Sequence, residues 1–151
     1  MEFDRADAIN QAIRLLSLRH RARIAALLAP LGLHPGQEAL LLELARTGPM
    51  IQAQLSDALG VEPPSVTLMT RKLEAAGHVR RRQATDRRAS VVELTDTGRA
   101  LAERVKELWR ALAEETVAGM PADTVRDVPG ILSTMTRNVG TKQPRRTTGE
   151  R

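Results

Sequence analysis

Residues Ile51 to Gly98, IQAQLSDALGVEPPSVTLMTRKLEAAGHVRRRQATDRRASVVELTDTG, decide the fold. IQAQLSDALG predicts a short helix with Gly60 where its end should be. VEPPSVTLMTRKLEAAGHV then restarts a helix almost at once. Pro63 and Pro64 suit its first turn, because the N–H they lack would be unpaired there anyway. Short helix, tight turn and longer helix make a helix-turn-helix. At about 100° per residue, Val66, Met69, Leu73 and Ala76 form the inward stripe of the longer helix. Its opposite face carries Pro64, Thr67, Leu68, Arg71 and Lys72, with Ser65 at the exposed start. Gly77 ends that helix. HVRRR and SVVEL then read as two strands around QATDRRA, a hairpin with Asp86, Arg87 and Arg88 at its tip. Thr95 is a good N-cap for the helix that follows.

Outward from this stretch, Ile9, Ile13, Leu16, His20, Ile24, Leu27 and Leu31 recur at steps of three and four, one face of a long helix that should end near Pro30. Glu38 to Arg46 predicts a second helix, closed by Gly48-Pro49. From Asp96 to about Gly119 a long helix sets Leu101, Val105, Leu108 and Leu112 on one face, with Trp109 beside them. Val125, Val128, Leu132, Met135 and Val139 suggest a last helix, which Pro129-Gly130 should kink or split. The stripe from Ile9 to Leu31 and the face from Leu101 to Leu112 are too apolar to leave wet, so a second copy of the chain is expected to cover them. From Gly140 onward, GTKQPRRTTGER has almost no apolar content and reads as a mobile basic tail.

Composition removes several classes of function. The chain of 151 residues has no cysteine, which excludes disulfide frameworks, thiolate metal sites and thiol nucleophiles. Its acidic start and short apolar runs lack the pattern of a secretory signal or a membrane span, so a soluble cytoplasmic protein without membrane contact is expected. His34 and His78 lie at no metal-binding spacing, and Glu114 and Glu115 point different ways on their helix. No phosphate-cradling glycine loop or nucleophilic triad is present, so neither catalysis nor a cofactor nor a metal is expected. Lys plus Arg number 23 against 18 for Asp plus Glu, a formal charge of +5, which favours polyanionic partners.

A helix-turn-helix followed by a basic two-stranded hairpin is a winged helix. Five arginines within nine residues arm the wing, and the narrow minor groove of B-DNA attracts an inserted arginine while the major groove accepts a helix. Together with the long first and last helices and DRRASVVELTDTG, the pattern resembles the MarR family of bacterial transcription regulators over roughly residues 6–139. The family's wing pattern appears as Asp86, Arg88, Leu94, Thr95 and Gly98. The resemblance implies that Arg88 is the minor-groove arginine, with Asp86 holding neighbouring wing arginines such as Arg87. It implies that Ser65, Thr67 and Arg71 face double-stranded DNA, with Lys72 on the same face, and that Gln54 approaches a phosphate. It also implies a cleft for a small amphipathic or aromatic effector, to which His20 and Trp109 could contribute. Ile51 departs from the family's usual Ser or Thr cap.

Blander roles stand beside these. Arg80 to Arg82 could be a solvated face. Arg71 could pair with Glu74, Thr70 lies nearer the buried side and should pack, and His20 and Trp109 could simply pack at an interface. The basic tail is either solvated or adds nonspecific DNA affinity. The expected architecture is mainly α with a small antiparallel β wing. A winged helix-turn-helix over about 36–98 is flanked by dimerisation helices over about 6–30 and 96–139, in a single domain spanning 1–139, and residues 140–151 form the tail. The expected function is a homodimeric regulator, mainly a repressor, that binds a pseudo-palindromic operator and is released by a small ligand. The alternative is a winged-helix protein-interaction module without specific DNA binding, whose outer face would tend to be apolar or acidic.

Overall fold

The computed structural model describes residues 1–83 and 90–140. Helix α1 spans Phe3–Leu28 and tightens into a 3-10 turn over Ala29–Leu31, where Pro30 halts regular helix. Helix α2 (Gln37–Thr47), strand β1 (Met50–Ile51), helix α3 (Gln52–Leu59) and helix α4 (Pro63–Ala75) follow. Strands β2 (Val79–Gln83) and β3 (Ser90–Leu94) lead into helix α5 (Asp96–Thr116), and helix α6 covers Ala122–Gly140. The chain divides into two compact units at Ala113.

The turn between α3 and α4 is held by backbone geometry that only glycine enters cheaply. Gly60 takes a φ of +63°, its N–H reaches the Asp57 carbonyl and the Val61 N–H reaches that of Ser56. The buried Ser56 hydroxyl adds a bond to the Val61 carbonyl. The end of α4 repeats the arrangement at Gly77, φ +79°, where the His78 N–H meets the Leu73 carbonyl. Helix α4 therefore ends before Ala76, which is exposed and not part of the inward stripe. Thr70 is buried instead, between Val66 and Leu73, with Met69 half-buried beside them.

The sheet has three antiparallel strands in the order β1-β3-β2, one more than the hairpin expected from the sequence. Met50 and Ile51 pair with Val92 and Val91 and fasten the wing to the start of α3. Inward, Val79, Val92 and Leu94 join a core built from Leu28, the leucines of α2, Leu55, Val66 and Leu73. Leu101, Ala102 and Val105 of α5 belong to this same core. The expectation that the Leu101–Leu112 face waits for a second chain is therefore corrected: Leu101, Val105 and Leu112 are already buried in the single chain. The stripe of α1 is different, since Ile9, Ile13 and Leu16 are exposed.

Of the kink or split expected at Pro129-Gly130 the split does not occur: helix α6 runs continuously from Ala122 to Gly140 with Pro129 inside it. A proline in a helix forfeits its own N–H bond and crowds the preceding turn, and the flanking residues keep the helix going on both sides. Ile131, Leu132 and Val139 of α6 are exposed.

Candidate nucleic-acid interface

The outward face of α4 is set by the period that buries Val66, Thr70 and Leu73 on the other side. Pro64, Ser65, Leu68, Arg71 and Lys72 are exposed and Thr67 is half-exposed. Thr67 donates its hydroxyl to the Pro63 carbonyl at 3.1 Å and accepts from the Gln52 side-chain amide at 3.4 Å. That contact links the start of α3 to the second turn of α4, a position for Gln52 that the sequence reading did not single out. Only the pairing of α3 and α4 in space, across 15 residues, makes it visible.

Gln54 has a local duty. Ile51 offers no side-chain oxygen to cap α3, and the Gln54 carbonyl oxygen instead accepts the Ile51 N–H at 3.2 Å, the reciprocal half of a capping box. Its amide nitrogen stays available on an exposed side chain.

Arg71 does not take Glu74. Glu74 accepts from Arg81 Nε at 2.8 Å and from its backbone N–H, so Arg71 and Lys72 keep their charges free of ion pairs among the described residues. Strand alternation explains which arginine goes where. Arg80 sits directly across from Glu93 and pairs at 2.7 Å, while Arg82, one diagonal step away on the same face, lies at 3.6 Å. Arg81 points to the other face, where α4 presents Glu74. The hydrogen bond from Arg81 holds the Glu74 carboxyl below its ordinary range, and that from Arg80 does the same for Glu93. Three of the five wing arginines are thus spent on the fold, by two carboxylates. Asp86, Arg87 and Arg88 lie outside the described residues.

The base of the wing is locked to α4 by the LTDTG segment. The Thr95 hydroxyl donates to the Gly77 carbonyl at 2.6 Å and accepts the Gly98 N–H at 3.1 Å, capping α5 as the sequence predicts. Thr97 donates to the same carbonyl at 2.8 Å.

Beside the reading head, a cleft of about 460 Å³ opens between α1 and the helix-turn-helix. Ser17, His20, Arg21 and Ile24 of α1 form one wall, and Glu38, Val61, Ser65 and Met69 form the other. His20 is half-buried there. Glu38 is buried, with its Oε2 2.6 Å from the Gly36 N–H, and burial pushes its carboxyl above the usual range despite that bond. Trp109 does not share this cleft. It lines a separate recess of about 340 Å³ with Leu42, Lys106, Arg110 and Ala113 in the single chain. Helical spacing showed that each lies near an apolar stripe, but not that α1 and α5 present them to different places.

Among the described residues no cluster of His, Asp or Glu could hold a metal, and no helix is long and apolar enough to cross a membrane.

Comparison with known proteins points the same way as this geometry. The MarR family model matches residues 33–90. The HTH-type transcriptional regulator YwoH of Bacillus subtilis (strain 168) is 34% identical over 73% of this chain and 77% of its own length. The HTH-type transcriptional repressor Rv2887 of Mycobacterium tuberculosis is 32% identical over 74% of this chain and 81% of its own. A MarR transcriptional regulator from Methanosarcina mazei Go1 superposes with a TM-score of 0.79 at 27% identity, covering 88% of this chain and 96% of that one. Two more distant structures share the fold. One is a mutant MarR from E. coli complexed with operator DNA (TM-score 0.78, 23% identity, 89% of this chain and 98% of that one). The other is Bordetella bronchiseptica BpsR, whose DNA binding is regulated by 6-hydroxynicotinic acid (TM-score 0.77, 22% identity, 85% and 98%). The chain belongs to the MarR family of transcriptional regulators.

Proposed function

We propose that the protein is a homodimeric repressor that binds a pseudo-palindromic operator and is released from it by a small amphipathic or aromatic ligand. The observation that carries the DNA-reading part is the outward face of α4: Arg71 and Lys72 are exposed and free of ion pairs among the described residues, beside Ser65 and Thr67. A helix of this size fits the major groove, and a guanidinium can take two acceptors of one guanine. In this reading Ser65, Thr67 and Arg71 meet bases, Lys72 and the Gln54 amide meet phosphates, and Arg88, steadied with Arg87 by Asp86, enters the minor groove. The operator complex of the E. coli neighbour and the repressor role named for the mycobacterial relative support the same assignment. The protein-interaction alternative calls for an apolar or acidic face, and two exposed cations there speak against it.

The dimer is supported by the apolar residues left wet on α1 and α6, Ile9, Ile13 and Leu16 on one and Ile131, Leu132 and Val139 on the other. We take residues 1–139 as one domain with a basic tail over 140–151, working in the cytoplasm where the chromosome lies. Release is assigned to the cleft that His20 lines, because the same cleft is walled by Ser65 and Met69 of α4, so an occupant would press directly on the reading helix. The small aromatic acid that regulates BpsR is of the size and character such a cleft accepts. Trp109 is assigned to packing.

Selection of genomic fragments by the purified protein, light scattering at micromolar concentration and a screen for molecules that free the bound DNA test the three parts in turn. Specific fragments with a two-fold repeat, a dimeric mass and release by an aromatic acid are expected. A monomer would overturn both the dimer and the palindrome.

A further inference from the structure

Leu68 is the one large apolar side chain on the exposed face of α4, and it is 55% exposed. Single exposed leucines are common on protein surfaces. This one has a particular setting: it lies one turn after Pro64 and one turn before Arg71 and Lys72, in the middle of the stripe that would enter the groove. In the major groove the one apolar mark a base pair presents is the 5-methyl group of thymine. We propose that Leu68 is a specificity-determining residue that reads a thymine methyl in each half-site. The inference rests on the DNA-reading assignment above and adds to it which side chain reads which chemical feature.

The helix geometry also places that thymine. Leu68 precedes Arg71 by a rise of about 4.5 Å along the helix axis, and base pairs are spaced by about 3.4 Å. A helix lying along the groove therefore sets the thymine one or two base pairs from the base that Arg71 contacts.

The test uses the full-length chain and a duplex that it selects from a random-sequence library. Each thymine of the selected site is replaced in turn by deoxyuridine, which pairs identically and lacks only the methyl group, and binding is followed by fluorescence anisotropy. One position per half-site should weaken wild-type binding about fourfold, which corresponds to about 0.8 kcal/mol for one buried methyl. Leu68→Ala, a change on an exposed helical position that favours helix, loses the contact in both half-sites at once, so it should bind the thymine duplex about sixteenfold more weakly than wild type, the square of the single-site factor, and be indifferent to deoxyuridine there. At the same position 5-methylcytosine should bind the wild type better than cytosine does. Wild-type binding that ignores deoxyuridine at every position, while the duplex is still selected, overturns the inference and leaves DNA reading intact. An undiminished deoxyuridine penalty in Leu68→Ala also overturns it, since another side chain then reads the methyl. Failure of the wild type to select any duplex overturns both.

Discussion

A Cβ added to Gly98 would lie 1.8 Å from the carbonyl oxygen of His78. The first turn of α5 therefore rests directly on the backbone that leaves the reading helix, and the two hydroxyls of Thr95 and Thr97 fasten the neighbouring Gly77 carbonyl to it. The leucine-threonine-glycine end of the wing pattern thus has a mechanical reason, separate from any contact with DNA.

Gly98→Ala should then be among the costliest single changes in the chain. The clash is with backbone, which cannot swing aside as a side chain can, so the loss should reach about 3 kcal/mol or more, at the upper end for overpacked sites. Gly130→Ala should act in the opposite sense, since nothing lies within 4 Å of a Cβ there and the position is helical. A gain of about 0.5–1 kcal/mol is expected. Urea unfolding of both variants checks the pair, and a Gly98→Ala protein as stable as wild type would show that the two segments can part freely.

How much of this could be read beforehand depended on how local the cause was. The helix-turn-helix was legible because Gly60, Pro63, Pro64 and Gly77 punctuate it and the burial of Val66 and Leu73 follows a 3.6 period. Strand β1 was not, because two residues, Met50 and Ile51, cannot display an alternation and their partners are some 40 residues away on β3. The ion pairs of Arg80, Arg81 and Arg82 were hidden for a related reason. Which carboxylate each meets follows from strand register and from how α4 lies on the sheet, and neither is written in a run of three arginines. Of the candidate site, the exposure of the outer face of α4 was legible, whereas the different recesses that His20 and Trp109 line follow from the packing of α1 and α5, which spacing does not give.

Stability should depend on pH through two opposed sets of carboxylates. Glu74 and Glu93 are held below the ordinary value of 4.5 by their arginines, so what they contribute is present above that value and is lost as pH falls through their lowered values. Glu38 is raised by burial, so its contribution is full below 4.5 and is lost as pH rises through its raised value. Glu38→Gln keeps an oxygen for the Gly36 N–H and removes the charge. Its stability relative to wild type should therefore grow as pH rises above 4.5 and then level off. Unfolding curves between about pH 3 and pH 8 would show it, and a difference that does not vary with pH would mean that the hydrogen bond alone matters at this position.

Ligand response should separate His20 from Trp109. If release works through the cleft beside Ser65 and Met69, His20→Ala should weaken release of DNA by an aromatic acid while leaving DNA affinity in the absence of that acid near wild type. Trp109→Phe, in a different recess, should leave both unchanged. Titrating ligand against a preformed complex of each variant decides the matter, and equal sensitivity of wild type and His20→Ala would return His20 to a packing role.

The arginines of the wing and of α4 should fail in different ways when removed. Arg88→Ala should lower affinity and reduce the salt slope by about one, because an arginine in the minor groove answers mainly to potential and groove width. Preference for narrow A·T tracts should fall while major-groove sequence preference persists. Arg71→Ala should instead relax discrimination at one base position in each half-site, with a loss of about 1–3 kcal/mol. Glu93→Gln offers the reverse experiment. It would release Arg80 and Arg82, which now share that carboxylate, and so should raise nonspecific affinity and steepen the salt slope without changing which bases are preferred. Binding of the three variants to an operator library at several salt concentrations separates these outcomes, with circular dichroism to establish that each is folded. If Arg88→Ala keeps wild-type affinity and slope while Glu93→Gln steepens the slope, the wing meets DNA through its strands and not through its tip.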